Sequence, residues 1–444
     1  MKQKKVGVIS LGCDKNRVDT EQMLSLLTQA GHEFTTDPAN ELSEAEIVIV
    51  NTCAFLESAR REAIEEILAA DCMRSEGKLE KLVVTGCLPQ RFASELEGAL
   101  TEADLLLGIS DYEKLPALIE ESYRENRQIS AVGGGNCETN AARVLTTPAA
   151  YAYLKIADGC CNHCTYCLIP KIRGAYRSVP EAALIEEAAG LGEIPELVLV
   201  AQDITRYGED LTGEKRLPAL IRALAALDNI GSIRLLYCYP DCITDELVKT
   251  VRDLPKVVKY LDIPLQHADP GVLKRMNRPG SAEEYLALFE KLRSEIPGIA
   301  LRSTFIAGFP GETEEAFAAL CGFLRAAKLD NAGFFAYSRE PGTAAAKLPG
   351  QILKRVKQKR VRALYDLQRG ISRARNAAYV GKTLSVLAEG FDSEALSYVG
   401  RCYRQAPEID GSVFFASSEE VKAGERVRVK ITDCGDYDLY GERI

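Results

Sequence analysis

The stretch Tyr153-Leu-Lys-Ile-Ala-Asp-Gly-Cys160-Cys-Asn-His-Cys164-Thr-Tyr-Cys167 decides how this chain is read. A strand-like run ends at Ala157 and opens into a loop carrying Cys160, Cys161, Cys164 and Cys167. Cys160, Cys164 and Cys167 give the spacing C-x3-C-x2-C. Three thiolates from one loop can wrap one corner of an iron–sulfur cluster, whose four-ligand sites normally use four Cys. One iron is then left open to a small molecule. Structural zinc is the competing reading, but it prefers four protein ligands in paired C-x2-C or Cys/His sets. Cys161 could replace Cys160 only by a register shift, and the spacing fits Cys160 better.

Around this loop, strand and helix patterns alternate. Strands are expected at Tyr153 to Ala157, Leu197 to Ala201, Ile233 to Tyr237, Tyr260 to Ile263, Ala300 to Ile306 and Gly333 to Tyr337. Helical patterns fall between them, including Glu181 to Gly190, Leu217 to Leu227, Thr244 to Asp253, Ala282 to Glu295 and Glu314 to Ala326. The alternation predicts a (β/α) barrel or partial barrel, with chemistry at the C-terminal strand ends. The pattern does not say whether it closes.

Upstream, the same alternation predicts a doubly wound parallel sheet. Its strands are Lys5 to Leu11, Ile47 to Val50, Lys81 to Thr85 and Leu105 to Leu107. Its helices are Val18 to Ala30, Ala59 to Ala70, Pro89 to Ala99 and Tyr112 to Tyr123. Cys13, Cys53 and Cys87 each stand just past a strand end. In an open parallel sheet those ends meet at one edge, where ligands bind. A second three-thiol site is therefore expected there. The other seven cysteines, Cys72, Cys137, Cys238, Cys242, Cys321, Cys402 and Cys434, share no position and read as small buried residues. Gly133 to Asn140 reads as a linker.

Downstream, Lys354 to Arg375 carries nine basic residues and one acidic. Helical spacing of its apolar residues predicts a solvated amphipathic helix, with a nucleic-acid contact as the sharper alternative. Five short strands then predict a small antiparallel β-barrel: Thr383 to Ala388, Ser397 to Tyr403, Val413 to Ala416, Arg426 to Ile431 and Tyr437 to Gly441. The expected domains are 1–135, 146–375 and 376–444.

Composition sets the frame for these motifs. The 444 residues are 46% hydrophobic and 27% charged, with net charge −9, which is ordinary for a folded globular chain. No apolar run reaches the roughly 18 residues a membrane span needs. The apolar run after Met1-Lys-Gln-Lys-Lys5 is too short for a signal peptide. Fourteen Cys without an export signal point to a cytoplasmic location with reduced thiols. Residues 1–140 are net −11, 141–375 net +6 and 376–444 net −4. An RNA-gripping tail should be basic; an acidic one favours a basic protein partner.

These motifs together resemble the radical S-adenosylmethionine methylthiotransferases, from end to end. The resemblance is carried by the Cys160 loop, Leu11-Gly-Cys-Asp-Lys-Asn-Arg-Val-Asp19, Val50-Asn-Thr-Cys53, Thr85-Gly-Cys87, Leu265-Gln-His-Ala268 and Gly308-Phe-Pro-Gly-Glu-Thr313. Asp14-Lys-Asn16, Ala201-Gln-Asp203 and Arg278-Pro-Gly280 look like the ribosomal-protein branch. The alternative branch modifies adenosine in transfer RNA and usually reads Gly-Cys-Gln-Met-Asn at the first motif. Two departures stand out: Asp14 replaces a more usual Pro, and Asn162 sits one place later than in the family loop.

The resemblance implies two four-iron clusters and S-adenosylmethionine as radical source and methyl donor. Cys160, Cys164 and Cys167 would hold the cluster that binds S-adenosylmethionine. Cys13, Cys53 and Cys87 would hold the cluster that presents sulfur. The implied reaction takes hydrogen from the β-carbon of an aspartate in small-subunit ribosomal protein S twelve and leaves a methylthio group. An unactivated C–H bond needs such cofactor chemistry. The implied partners are that protein, an external electron donor and a sulfur donor, with the terminal TRAM barrel docking the substrate. Transfer RNA and membrane are not expected partners. Gln202, Asp203, Gln266, His267 and Arg302 are candidates for cofactor or substrate contact. For His267 a hydrogen-bonded loop role competes. The glycines of Gly308 to Thr313 can be explained by tight backbone geometry alone.

Overall fold

A computed structural model describes residues 2–35, 44–125, 127–133 and 142–444. Nearly all of the expected linker, with Cys137, lies outside the described residues. The chain divides into two compact units. The first comprises 1–146, 158–161 and 167–179; the second comprises 147–157, 162–166 and 180–444.

The first unit is a six-stranded parallel sheet. Its order is Glu33–Thr35, Lys5–Ser10, Ile47–Thr52, Lys81–Gly86, Leu105–Leu107, Ile129–Ala131. Ile47–Thr52 and Lys81–Gly86 are buried at every position, as strands covered on both faces must be. Successive side chains alternate between faces. Val48, Val50, Leu82, Val84 and Leu106 enter one core cluster. Ile47, Ile49, Val83, Leu105 and Leu107 enter the other. The doubly wound expectation holds. Two outer strands, Glu33–Thr35 and Ile129–Ala131, were not anticipated; unlike Leu105–Leu107, these three-residue strands mix polar and apolar side chains and offer no apolar run to read. The first helix, Asp14–Gln29, starts earlier than Val18. Its first turn is polar, so apolar spacing does not mark it.

The second unit begins with another parallel sheet, ordered Asn331–Ala336, Ala300–Ala307, Val257–Asp262, Ile233–Leu235, Glu196–Val200, Tyr151–Lys155. The strands follow one another strictly in sequence. The first and last are its edges, so the barrel is partial.

The tail does close. Its five-stranded barrel runs Thr383–Asp392, Ser397–Arg401, Val413–Ala416, Leu439–Arg443, Arg426–Cys434. Val427, Val429 and Ile431 point into its core while Arg426, Arg428 and Lys430 face outward. The expectation of a wholly antiparallel barrel is corrected: Val413–Ala416 pairs parallel with Leu439–Arg443. A closed ring of five strands cannot alternate direction all the way round, so at least one pair must be parallel.

The helix Lys354–Ala377 is less solvated than its charge suggests. Arg360 is buried and donates to Glu312 Oε1 at 2.8 Å. Lys357 Nζ donates to the Tyr337 carbonyl at 2.8 Å, and Gln368 to the Leu329 carbonyl at 3.0 Å. Only the opposite face, including Arg355, Lys359 and Arg362, is exposed.

Three buried charge clusters bind the central sheet to the tail. Glu196 accepts from Arg234 at 3.0 Å and from Arg401 at 2.7 Å. Asp330 accepts from Arg404 at 2.9 Å and from Arg375 at 3.0 Å. Arg302 donates to Asp262 at 2.8 Å and lies 3.3 Å from Asp410, which also accepts from Tyr260 at 2.7 Å.

Candidate active site

In the first unit, Cys13, Cys53 and Cys87 follow Lys5–Ser10, Ile47–Thr52 and Lys81–Gly86, which are neighbours in the sheet. Sheet order reverses at Lys5–Ser10, with Glu33–Thr35 on one side and Ile47–Thr52 on the other. That makes this edge the topological switch point, where α/β sheets bind ligands.

Asn16, fully buried, stands among the thiols. Its Nδ2 donates to the Leu11 and Thr52 carbonyls, both at 3.0 Å. Its Oδ1 lies 4.0 Å from Cys13 Sγ and 3.9 Å from Cys87 Sγ. Burial pushes the Cys87 thiol up to about 12 and also raises Cys53; Arg173 pulls both the other way. Ligation would therefore expel protons from these thiols.

The turn into Cys13 has no room for a side chain at Gly12. Gly12 has φ +93°, and a Cβ there would lie 2.7 Å from Cys53 Cβ and 3.3 Å from its sulfur. The donor chemistry, three thiols on adjacent strand ends around one amide, fits a cluster with three protein ligands. Among the described residues no three His, Cys, Asp or Glu side chains converge as a single metal ion would require. One consequence can be measured. Gly12→Ala forces a strained backbone and a contact with Cys53, so reconstituted protein should hold less iron. Unchanged iron content would remove Gly12 from the argument.

The residues of the Cys160 loop are anchored separately. In the first unit, Cys160 N–H donates to the Gly174 carbonyl at 3.2 Å. Gly159, at φ +75°, has no space for a Cβ, which would meet the Ala175 oxygen at 2.1 Å. Cys161 is exposed, and its sulfur accepts from Tyr176 N–H at 3.3 Å. Cys167 sulfur accepts from Ile169 N–H at 3.4 Å. In the second unit, Cys164 sulfur is 3.6 Å from the Tyr239 hydroxyl and 3.8 Å from Arg278 Nη1. The Arg278 guanidinium lies over the Tyr239 ring at 4.2 Å. Arg278 and Tyr239 thus fix the position of the Cys164 sulfur.

The other candidates are spread through the second unit. Asp203 is buried and accepts from Thr205 N–H and Asn162 Nδ2, both at 3.0 Å. Burial raises its carboxyl pKa, against those hydrogen bonds and Arg206. Asn162 also accepts from Arg206 at 3.2 Å, which gives the displaced Asn a place in the loop. Gln202 lies beside Asp203 and is half-buried. Gln266 has φ +71° and pairs in parallel with Phe305. His267 is fully buried; its Nδ1 accepts from Asp269 N–H at 3.0 Å, and its Nε2 is 3.6 Å from Glu312. Glu312 in turn accepts from Gly308 N–H at 2.7 Å and Phe309 N–H at 3.2 Å. His267 thus stands in a hydrogen-bonded loop, and Glu312 holds the Gly308–Glu312 turn. Arg302 lies early in its strand, in the charge cluster with Asp262 and Asp410. The sequence reading passed over Asn16, Arg173 and Tyr239, and used Arg278 only as a branch mark. Asn16 and Arg278 stood inside quoted motifs, but nothing in sequence marks their contacts.

The model of uncharacterized protein family UPF0004 matches residues 5–108, that of the radical SAM superfamily 154–324, and that of the TRAM domain 380–444. A protein of Trichlorobacter lovleyi named ribosomal protein uS12 methylthiotransferase RimO is 47% identical, covering 100% of this chain and 98% of its own length. This chain belongs to the RimO family. A second RimO, from Geobacter sulfurreducens, is 46% identical over 100% of this chain and 99% of its own. The radical S-adenosylmethionine methyltransferase TsrM from Kitasatospora setae shares the fold, with TM-score 0.56, 16% identity and coverage of 78% and 77%. As a RimO-family chain it is a radical S-adenosylmethionine methylthiotransferase that works with S-adenosylmethionine and two iron–sulfur clusters. No helix among the described residues is long and apolar enough to cross a membrane.

Proposed function

We propose that this enzyme places a methylthio group on the β-carbon of an aspartate in ribosomal protein uS12. The observation that carries the reading is the second thiol set: Cys13, Cys53 and Cys87 stand on adjacent strand ends at the switch point, apart in sequence from the Cys160 loop. A chain that only generated a radical would have no need of them.

When bound, S-adenosylmethionine and the two clusters supply the hydrogen-abstracting radical, the sulfur and the methyl group. Cys160, Cys164 and Cys167 would hold one cluster, and Cys13, Cys53 and Cys87 the other. Arg278 and Tyr239 fix Cys164. Asn162, Asp203 and Arg206 order the loop between Cys160 and Cys164. Asn16 spaces Cys13 from Cys87.

Charge on the tail supports a basic protein substrate. Arg401 and Arg404, two of its eight cations, are buried against Glu196 and Asp330. Among its acids Asp410 is turned inward to Arg302. The outward surface is therefore more acidic than the net −4 of the segment, and it would attract a basic ribosomal protein. An external electron donor, a sulfur donor and a cytoplasmic setting belong to the same proposal. Mass analysis of uS12 and of transfer RNA from a strain lacking this gene tests it. Loss of the methylthio group from uS12 alone is expected. Loss from transfer RNA alone would reassign the enzyme to the other branch.

A further inference from the structure

We propose that Arg173 supplies the positive charge that sets the reduction potential of the cluster on Cys13, Cys53 and Cys87. This rests on the reading of those three thiols given above. Arg173 lies six residues beyond Cys167, on the segment 167–179 that packs in the first unit. Its side chain is buried. Nη2 donates to Asn16 Oδ1 at 2.6 Å and Asp19 Oδ2 at 2.9 Å, and lies 3.9 Å from Cys87 Sγ. Nη1 donates to Asp158 Oδ2 at 2.8 Å.

The accepting oxygen of Asn16 is the atom that lies about equally far from Cys13 and Cys87 sulfur. The guanidinium therefore sits one hydrogen bond from the point between two ligands. It also fixes the amide, whose Nδ2 ties the loop before Cys13 to Thr52, the residue before Cys53. Asp158 and Asp19 pair with the two ends of the buried guanidinium.

Other cations on the same unit have partners of their own: Arg91 donates to the Ala54 carbonyl, beside Cys53, at 2.7 Å. Lys15 pairs with Asp14 at 2.7 Å, and Arg17 donates to the Thr146 carbonyl at 3.3 Å. Potentials of four-iron clusters follow local charge, hydrogen bonding and solvent exposure. One-electron reduction adds a negative charge to the site. A buried cation within a few ångströms favours that reduced state, and low dielectric magnifies the effect. Asp19 is fully buried and acts in the opposite sense. Arg173 and Asp19 form an opposed pair whose balance fixes the potential. The segment that delivers Cys167 to one cluster thus delivers the controlling charge to the other.

The test uses full-length protein carrying Cys160→Ala, Cys164→Ala and Cys167→Ala, so that only the N-terminal cluster is loaded. Its midpoint potential is read by electron paramagnetic resonance during a redox titration. Arg173→Gln should shift it by at least about 59 mV to the negative side, a tenfold change for one electron. Arg173→Lys should move it by less than half as much. Asp19→Asn, which keeps the cation and its Asp158 partner, should shift it to the positive side. The Asp19 variant decides the matter if Arg173→Gln fails to load a cluster. An unmoved potential in a loaded Arg173→Gln protein overturns the proposal. So does an unmoved potential in Asp19→Asn when the Gln variant stays empty. A parent protein that binds no cluster would refute the thiol reading instead, and this proposal with it.

Discussion

Replacing Glu196 with Gln is expected to cost about 3–5 kcal/mol of stability, the typical penalty for removing one partner of a buried ion pair. Glu196 serves two buried cations, Arg234 and Arg401. Its loss leaves Arg234 facing a neutral amide and Arg401 with Glu389 as its remaining carboxylate. The pH dependence identifies the mechanism. Burial alone would raise the Glu196 pKa, but Arg234 and Arg401 outweigh it and bring it from the ordinary 4.5 to about 2. A depressed carboxylate stabilises the fold above its unfolded pKa and loses that contribution as pH falls through the folded value. The stability gap between wild type and Glu196→Gln should therefore be constant above pH about 4.5 and close as pH falls towards 2. Urea unfolding of both proteins at several pH values measures this. A gap of the same size at pH 7 and in strong acid would rule out the charge as its cause.

The combined variant Cys13→Ala, Cys53→Ala, Cys87→Ala is expected to lose about half of its iron, that of one of the two Cys-ligated clusters. It should still cleave S-adenosylmethionine to 5′-deoxyadenosine and should transfer no methylthio group. Cys13 is exposed and Cys53 half-buried, so neither is needed to fill the core. Cys87 is a buried member of one core cluster, where Ala removes a single sulfur atom. Folding should survive. Iron analysis, chromatography of 5′-deoxyadenosine and the mass of uS12 separate the outcomes. Methylthio product at the wild-type rate would make the three thiols structural.

Much of this architecture was legible because parallel strands buried on both faces read as continuous apolar runs. Val48 to Val50 and Leu82 to Val84 announce themselves, and with them the cysteines at their ends. The tail was legible down to strand count, while the direction of one pair followed from closure and not from any residue. The tail's relation to the central sheet was not legible at all. Arg302 reads as a candidate for substrate contact because it sits in a barrel strand. The structure pairs it with Asp410, more than a hundred residues away, and sequence offers no sign of that pairing. Arg173 was hidden for the same reason: its partners Asn16 and Asp19 lie 157 and 154 residues upstream.

The three charge clusters also fix an order of events during synthesis. Arg401 follows Glu196 by 205 residues, which at about 5–20 residues per second takes roughly 10–40 s. Through that interval Glu196 has Arg234 as its cation and not yet Arg401. Arg302 waits for Asp410, and Asp330 waits for Arg375 and then Arg404. The nascent central sheet is thus exposed, with half-paired charges at its base, until almost the last codon is read. An enzyme whose N-terminal sheet can form early therefore has a catalytic core that matures only when the whole chain is made.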